Sequence, residues 1–217
     1  MVEENKLKLC MISGSFEYDS EESLKIFQEY VDENYPIKST LIIYKSEEDN
    51  ISLEPIEDND VLLVFTRRLN TDGKELERFK SYCLQGKPVV GVRTASHAFQ
   101  NWLDFDKIVL GGNYNGHYGA GPVCHVEIAP KAKNHPILDD VSPFDSNGSL
   151  YKNTPIADDT SLLLNGKTAE HFEPVAWTRI NNDGRVFYTS LGHQDDFRDD
   201  NFLRLLANAV LWAAEKE

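Results

Sequence analysis

The sequence predicts an α/β domain built on a parallel sheet. Three observations carry that reading: short apolar strands alternate with amphipathic helical stretches through the first half. Val61-Leu62-Leu63-Val64-Phe65 is a continuous apolar run, as expected of a strand covered on both faces. A hydrophobic fraction of 41% over 217 residues is ample for a buried core of one domain spanning residues 1–217.

The elements follow in order. Leu7 to Ile12 reads as the first strand, running into a Ser13-Gly14-Ser15 loop. Ser20 opens a helix in which Leu24, Phe27, Tyr30 and Val31 recur at helical spacing, and Pro36 stops it. Thr40 to Tyr44 is a second strand and Val61 to Phe65 a third. Asp72 with Glu75 three residues on resembles a capping box. Leu76, Phe79, Tyr82 and Cys83 form one face of the helix that follows, which ends at Gly86. Pro88 to Val92 is the next strand. Ser96 suits the N-cap of a short helix over Ala98 to Leu103. In the second half, Val123 to Ile128 is a strand, and Ser161 to Leu164 is a strand reaching a tight turn at Asn165-Gly166. Val175 to Ile180 and Arg185 to Leu191 form a hairpin around Asn181-Asn182-Asp183-Gly184. Phe202, Leu205, Leu206, Ala209, Val210 and Ala213 line a final helix that packs on the sheet.

Charge and cysteine content narrow the function. A net charge of -14 repels phosphate backbones and anionic lipid, so neither nucleic acid nor a membrane is expected as partner. The N-terminus lacks signal-peptide character, and no apolar run is long enough to span a bilayer. Cys10, Cys83 and Cys124 form no CxxC pair and no disulfide framework, which suits a cytoplasmic protein.

Three segments could carry chemistry. The first is the turn after Val92, with Arg93, Thr94, Ser96 and His97, at the place where an α/β hydrolase keeps its nucleophile. Arg93 can bind a polar or anionic ligand, His97 can act as base, and Thr94 or Ser96 could attack. The second is the loop Gly111 to Pro122, whose glycines permit positive φ and which displays Tyr114, His117 and Tyr118. Aromatic rings beside amides suit sugars. The third is Leu191 to Phe197. There His193 can serve as acid, base or metal ligand at the carboxyl edge of the sheet, with Asp195 or Asp196 to orient it. No HExxH or HxH spacing occurs. A divalent metal such as zinc, held by distant residues such as His97, His117 and His193, is an open option. Cys124 and His125 are strand neighbours pointing to opposite faces, so they make no catalytic pair.

Pro174 to Arg179, Gly184 to His193, Phe197 and Asn201 to Trp212 resemble the ThuA-like (trehalose utilisation) family, as do Gly111 through His117 and Asn134 to Ile137. The resemblance implies the class I glutamine amidotransferase-like fold, a flavodoxin-like three-layer sandwich with a mostly parallel central sheet. In glutaminases of that fold the equivalent strand ends in Gly-Ile-Cys-x-Gly, whereas here it reads Gly91-Val92-Arg93. The Pro-Glu expected after the catalytic histidine is Gln194-Asp195. Glutaminase activity is therefore not expected. The resemblance implies a role in carbohydrate metabolism, with a small sugar or sugar derivative as partner and a homo-oligomer left open. In this reading His193 and His97 are catalytic, and Arg93, Tyr114, His117, Tyr118 and Asp195 bind substrate. The rival is a non-catalytic binding or interaction module on the same fold.

Overall fold

The computed structural model describes residues 6–119 and 123–215. Among these residues nine strands join one sheet: β1 (Leu7–Gly14), β2 (Ile37–Ile43), β3 (Val61–Thr66), β4 (Val89–Val92), β5 (Cys124–Ile128), β6 (Phe144–Ser146), β7 (Ser161–Lys167), β8 (Phe172–Asn181) and β9 (Gly184–Thr189), ordered β2-β1-β3-β4-β9-β8-β7-β5-β6. The expected strands and the hairpin are present. The direction of the second half is not as expected, because the sheet is mixed rather than mostly parallel. β2, β1, β3, β4 and β9 run parallel, and β9, β8, β7, β5 and β6 are joined antiparallel. Connection length is the physical reason. A parallel crossover needs a dozen or more residues, but Asn182 and Asp183 turn β8 into β9 with both residues at positive φ (49° and 69°), the two-residue turn that fits antiparallel strands.

Helices cover both faces. On one, α1 (Ser20–Asn34) and α3 (Asp200–Ala213) bury Leu24, Phe27, Val31, Phe202, Leu206 and Val210 against Leu9, Met11, Leu63 and Val90. On the other, α2 (Gly73–Leu84) presents Leu76, Phe79 and Cys83 to Cys10, Leu62, Val64 and Val89. Alternate residues of β1 and β3 thus feed opposite cores, as the period-2 geometry of a strand demands. Tyr35 is extended and ends α1 ahead of Pro36. Among the described residues no helix is long and apolar enough to cross a membrane.

Three local expectations are corrected. Asp72 makes no side-chain cap on α2. Glu75 turns away and accepts the Leu53 amide (2.7 Å) and the Arg78 guanidinium (2.8 Å), so α2 is tied to the preceding loop instead. There is no helix over Ala98 to Leu103. Short 3₁₀ turns cover Arg93–His97 and Gln100–Trp102, and extended Phe99 between them bridges to Leu69. That pairing, sealed by Gln100 N–H donating to Leu69 O (2.9 Å), outcompetes the helix. Finally, Asn165 and Gly166 do not turn the chain but continue β7 into an irregular pairing with β8.

Gly166 is small because its neighbours leave no room. A Cβ there would lie 2.6 Å from both Cys124 Sγ and Val175 Cγ1. Gly166→Ala should therefore lower stability by about 1–3 kcal/mol in urea denaturation; an unchanged midpoint would mean that this stretch behaves as the open turn first expected.

Candidate functional site at the carboxyl edge

β4 ends in a strained turn. Arg93 has φ 46°, a left-handed conformation uncommon for a non-glycine residue, so the backbone of a nucleophile elbow is kept with arginine upon it. Tyr188 Oη donates to Arg93 O (2.7 Å) and pins the turn. The side chain is 1% exposed. Its Nη1 donates to Ser190 O (2.7 Å), and Nη2 donates to Tyr18 Oη (3.0 Å) and Ser149 O (3.3 Å). The guanidinium lies 4.3 Å from the Tyr18 ring centre and 4.7 Å from that of Tyr151. Gly148 covers it so closely that a Cβ would come 2.7 Å from Nη1.

From this buried cation an aromatic wall runs outward. Tyr151, itself buried, packs 4.5 Å from Tyr114, and Tyr114 stacks on His97 (4.6 Å, 18° between planes). His117 pairs with Tyr151 across an isolated bridge, rings 6.5 Å apart. On the far side of Arg93, Tyr18 meets His193 edge-on at 6.3 Å. His97, His117 and His193, from three separate segments, thus converge on one edge through Tyr114, Tyr151 and Tyr18. The same intervening rings keep them apart as ligands. Among the described residues no group of three or more His, Cys, Asp or Glu side chains could hold a metal ion, so the zinc option finds no site.

The individual residues differ in what they can do. His97 is 5% exposed, with Nδ1 3.0 Å from Ser96 Oγ. Burial, aided by Arg68, Arg67 and Arg93, pushes its pKa down to about 3, so it is neutral near pH 7 and a weak base. Ser96, expected as a helix cap or nucleophile, donates to Arg93 O (3.4 Å) inside the turn. Thr94 is buried. His193 is half-buried beyond the end of β9, with Nδ1 3.4 Å from Asp195 Oδ2. Asp195 also accepts from Asn147 (3.0 Å). Asp196 Oδ2 accepts the amides of Gly192 (2.8 Å) and His193 (2.9 Å) and the hydroxyl of Ser146 (2.9 Å), which fixes the chain at His193. Burial raises the Asp196 carboxyl above its usual range.

The glycine-rich loop behaves as expected in part. Gly111, Gly116 and Gly119 have positive φ; residues 120–122 lie outside the described residues. Tyr114 joins the aromatic wall, but Tyr118 does not. It donates to Glu173 Oε1 (2.8 Å) and stacks on His171 at 3.7 Å. The same glutamate accepts the Asn153 and Thr154 amides (3.1 and 2.9 Å), so it anchors the loop beside Tyr151. Asp106, buried and raised to about 6 by desolvation, accepts the Tyr114 amide (2.8 Å). Tyr18, Tyr151, Asp106 and Glu173 carried no local signal in the sequence; each is recognisable only from what it touches.

Elsewhere, Cys10, Cys83 and Cys124 are unpaired and buried. Burial pushes the Cys10 thiol up to about 12 and that of Cys124 to about 11, far from a thiolate nucleophile. His125 pairs with Asp145 (2.7 Å) on the exposed face, away from buried Cys124. A groove of about 830 Å³ lies between 129–136 and 160–163, but none of its polar residues is buried. The aromatic wall is therefore the better candidate, since it holds the perturbed and strained groups.

The model of the family described as trehalose utilisation, ThuA, matches residues 9–213. The chain belongs to the ThuA family. Among solved structures, a ThuA-like protein from Parabacteroides merdae is similar at 18% identity and TM-score 0.76, over 97% of this chain and 90% of that one. A ThuA-like protein from Bacteroides uniformis gives 21% and 0.72, over 95% and 91%. A glutamine amidotransferase from Thermotoga maritima gives 12% and 0.57, over 97% and 99%. At these identities the likeness speaks for the fold, which is amidotransferase-like with a mixed sheet. No curated protein matches.

Two outcomes follow for this ThuA-family site. Gly148→Ala should displace the Arg93 guanidinium and cost about 1–3 kcal/mol; thermal unfolding at wild-type temperature would contradict the packing described. For His97 the folded pKa lies below the unfolded value of 6.5. Between about pH 6.5 and 3 the unfolded chain binds a proton that the folded chain refuses, so stability is full above pH 6.5 and falls as pH drops. Asp106 and Asp196, both raised, act with the opposite sign. The His97 contribution is isolated by comparing wild type with His97→Gln, whose loss on acidification should be smaller; an NMR titration should find the His97 ring neutral down to about pH 3.

Proposed function

We propose that this chain binds a small sugar or sugar derivative against the aromatic wall at the carboxyl edge of the sheet, as part of carbohydrate metabolism in the cytoplasm and without glutaminase activity. The observation that carries the reading is the run of half-exposed Tyr18, Tyr114 and His193 and exposed His117 around a buried Tyr151–Arg93 base. Such rings stack on the apolar faces of a sugar, while neighbouring Asn115 and Asn147, both exposed, supply amides for hydroxyls. In this reading Arg93 does not touch the ligand; it positions Tyr18 and Tyr151. His97 likewise supports Tyr114. His193 carries the acid–base role, because its ring is accessible and Asp195 lies beside it.

A second reading, a binding module without turnover, is favoured by one observation: the elbow position is filled by a buried arginine. The two separate in one set of measurements. Titration with mono- and disaccharides and their oxidised forms should show binding that Tyr114→Ala weakens by roughly three- to tenfold. Turnover lost in His193→Ala with binding retained supports the enzyme. Binding without turnover supports the module, and no binding to any sugar removes the carbohydrate reading.

A further inference from the structure

Arg68 stands directly beside this site. Its amide donates to His97 O (2.7 Å) and its backbone is held at φ 47°, a left-handed conformation, where β3 gives way to the Leu69–Phe99 bridge. The side chain is half-exposed, and Nη1 donates to Gln100 Oε1 (3.0 Å). The chain carries an excess of acids, 36 against 22 basic residues, and its other described arginines show what that excess does. Arg67, Arg78, Arg179, Arg185, Arg198 and Arg204 each have a carboxylate within 4 Å. Arg68 and Arg93 have none among the described residues, and both flank His97. The nearby acids are already committed: Glu17 and Glu47 to Arg67 (3.2 and 3.6 Å), Asp196 to the Gly192–His193 amides and Ser146.

Arg68 is thus the accessible guanidinium at this edge with no carboxylate within 4 Å among the described residues, in a protein of net charge -14. Arg93 is enclosed and contributes only its field. Arg68 can reach a ligand, and a guanidinium matches planar carboxylate or phosphate oxygens in a two-pronged hydrogen bond.

Building on the carbohydrate reading above, we propose that the ligand of this site is an anionic sugar, whose carboxylate or phosphate group is held by Arg68 while its ring lies toward Tyr114. The selectivity is electrostatic in origin, so it weakens as ionic strength shortens the screening length.

Calorimetric titration with glucose, glucuronate and glucose 6-phosphate tests this at low and high salt. The expected result is tighter binding of at least one anion, by about tenfold over glucose at low salt. That preference should shrink in high salt, vanish in Arg68→Gln, return in part in Arg68→Lys, and persist in Arg204→Gln. Comparison of glucuronate with glucose 6-phosphate tells which anionic group is seated. If all three sugars bind alike to wild type, this inference is overturned and the carbohydrate reading stands. If no sugar binds, both fall. Circular dichroism establishes that each variant is folded; should Arg68→Gln fail to fold, the salt dependence and Arg68→Lys decide the matter.

Discussion

The burial of the Arg93 guanidinium constrains more of this molecule than any other single interaction. Taking an ion out of water costs several kcal/mol even after relaxation, and among the described residues no carboxylate stands against it at hydrogen-bond distance. The charge is held instead by the Ser190 and Ser149 carbonyls, the Tyr18 hydroxyl and the faces of two tyrosine rings. Those groups come from the loop after β1, the segment between β6 and β7, and the chain just past β9. Each must be in place at once for the arginine to be tolerated, so the cation fixes the mutual position of three otherwise independent segments. The left-handed backbone at Arg93 is maintained by the same arrangement, through the Tyr188 hydroxyl. What is a reactive turn in a hydrolase has become a strut.

The change of strand direction makes the strut possible. The parallel strands β1, β3, β4 and β9 bring the Tyr18, Arg68, Arg93 and His193 segments to one edge, because parallel strands all end on the same side. The antiparallel half then returns the chain along that edge, and residues 146–151 pass over the elbow. A sheet parallel throughout would have placed those residues in a crossover on a helical face. Trp177, on β8 where the two halves meet, donates to Leu110 O (2.7 Å) and packs on Tyr188 at 4.8 Å, so the base of the glycine-rich loop rests on the junction.

Much of this was legible in the sequence where local rules decide. Apolar runs place β1 and β3, the 3.6-residue spacing of apolar side chains places α1, α2 and α3, and Asn182-Asp183 with Gly184 announces the hairpin. The arginine at the elbow and the Gln194-Asp195 after His193 are visible as departures from the glutaminase pattern, and His193 itself as a match to it. The rest depends on contacts between distant segments. Glu75 had a cap to make and found Leu53 and Arg78 more favourable; Phe99 had helical neighbours and paired with Leu69. Gly166 resembled a turn residue because sequence records the absence of a side chain but not the reason, here Cys124 and Val175. Tyr18 and Tyr151 escaped because a tyrosine in a loop has no pattern, and their meaning lies in the guanidinium between them.

The distribution of charge states limits the chemistry this edge can perform. His97 is neutral and enclosed, burial pushes the thiols toward their protonated form, and the serine beside His97 donates to the Arg93 carbonyl, so none of these is poised as a nucleophile. What stays accessible is of another kind: aromatic faces, His193 with its carboxylate neighbour, and a guanidinium at the rim. Under the proposed function such a set recognises a ligand by shape and charge and, through His193, moves a proton. Arg93 stands at the elbow position and braces the rings of Tyr18 and Tyr151, so one residue bears on both parts of that reading.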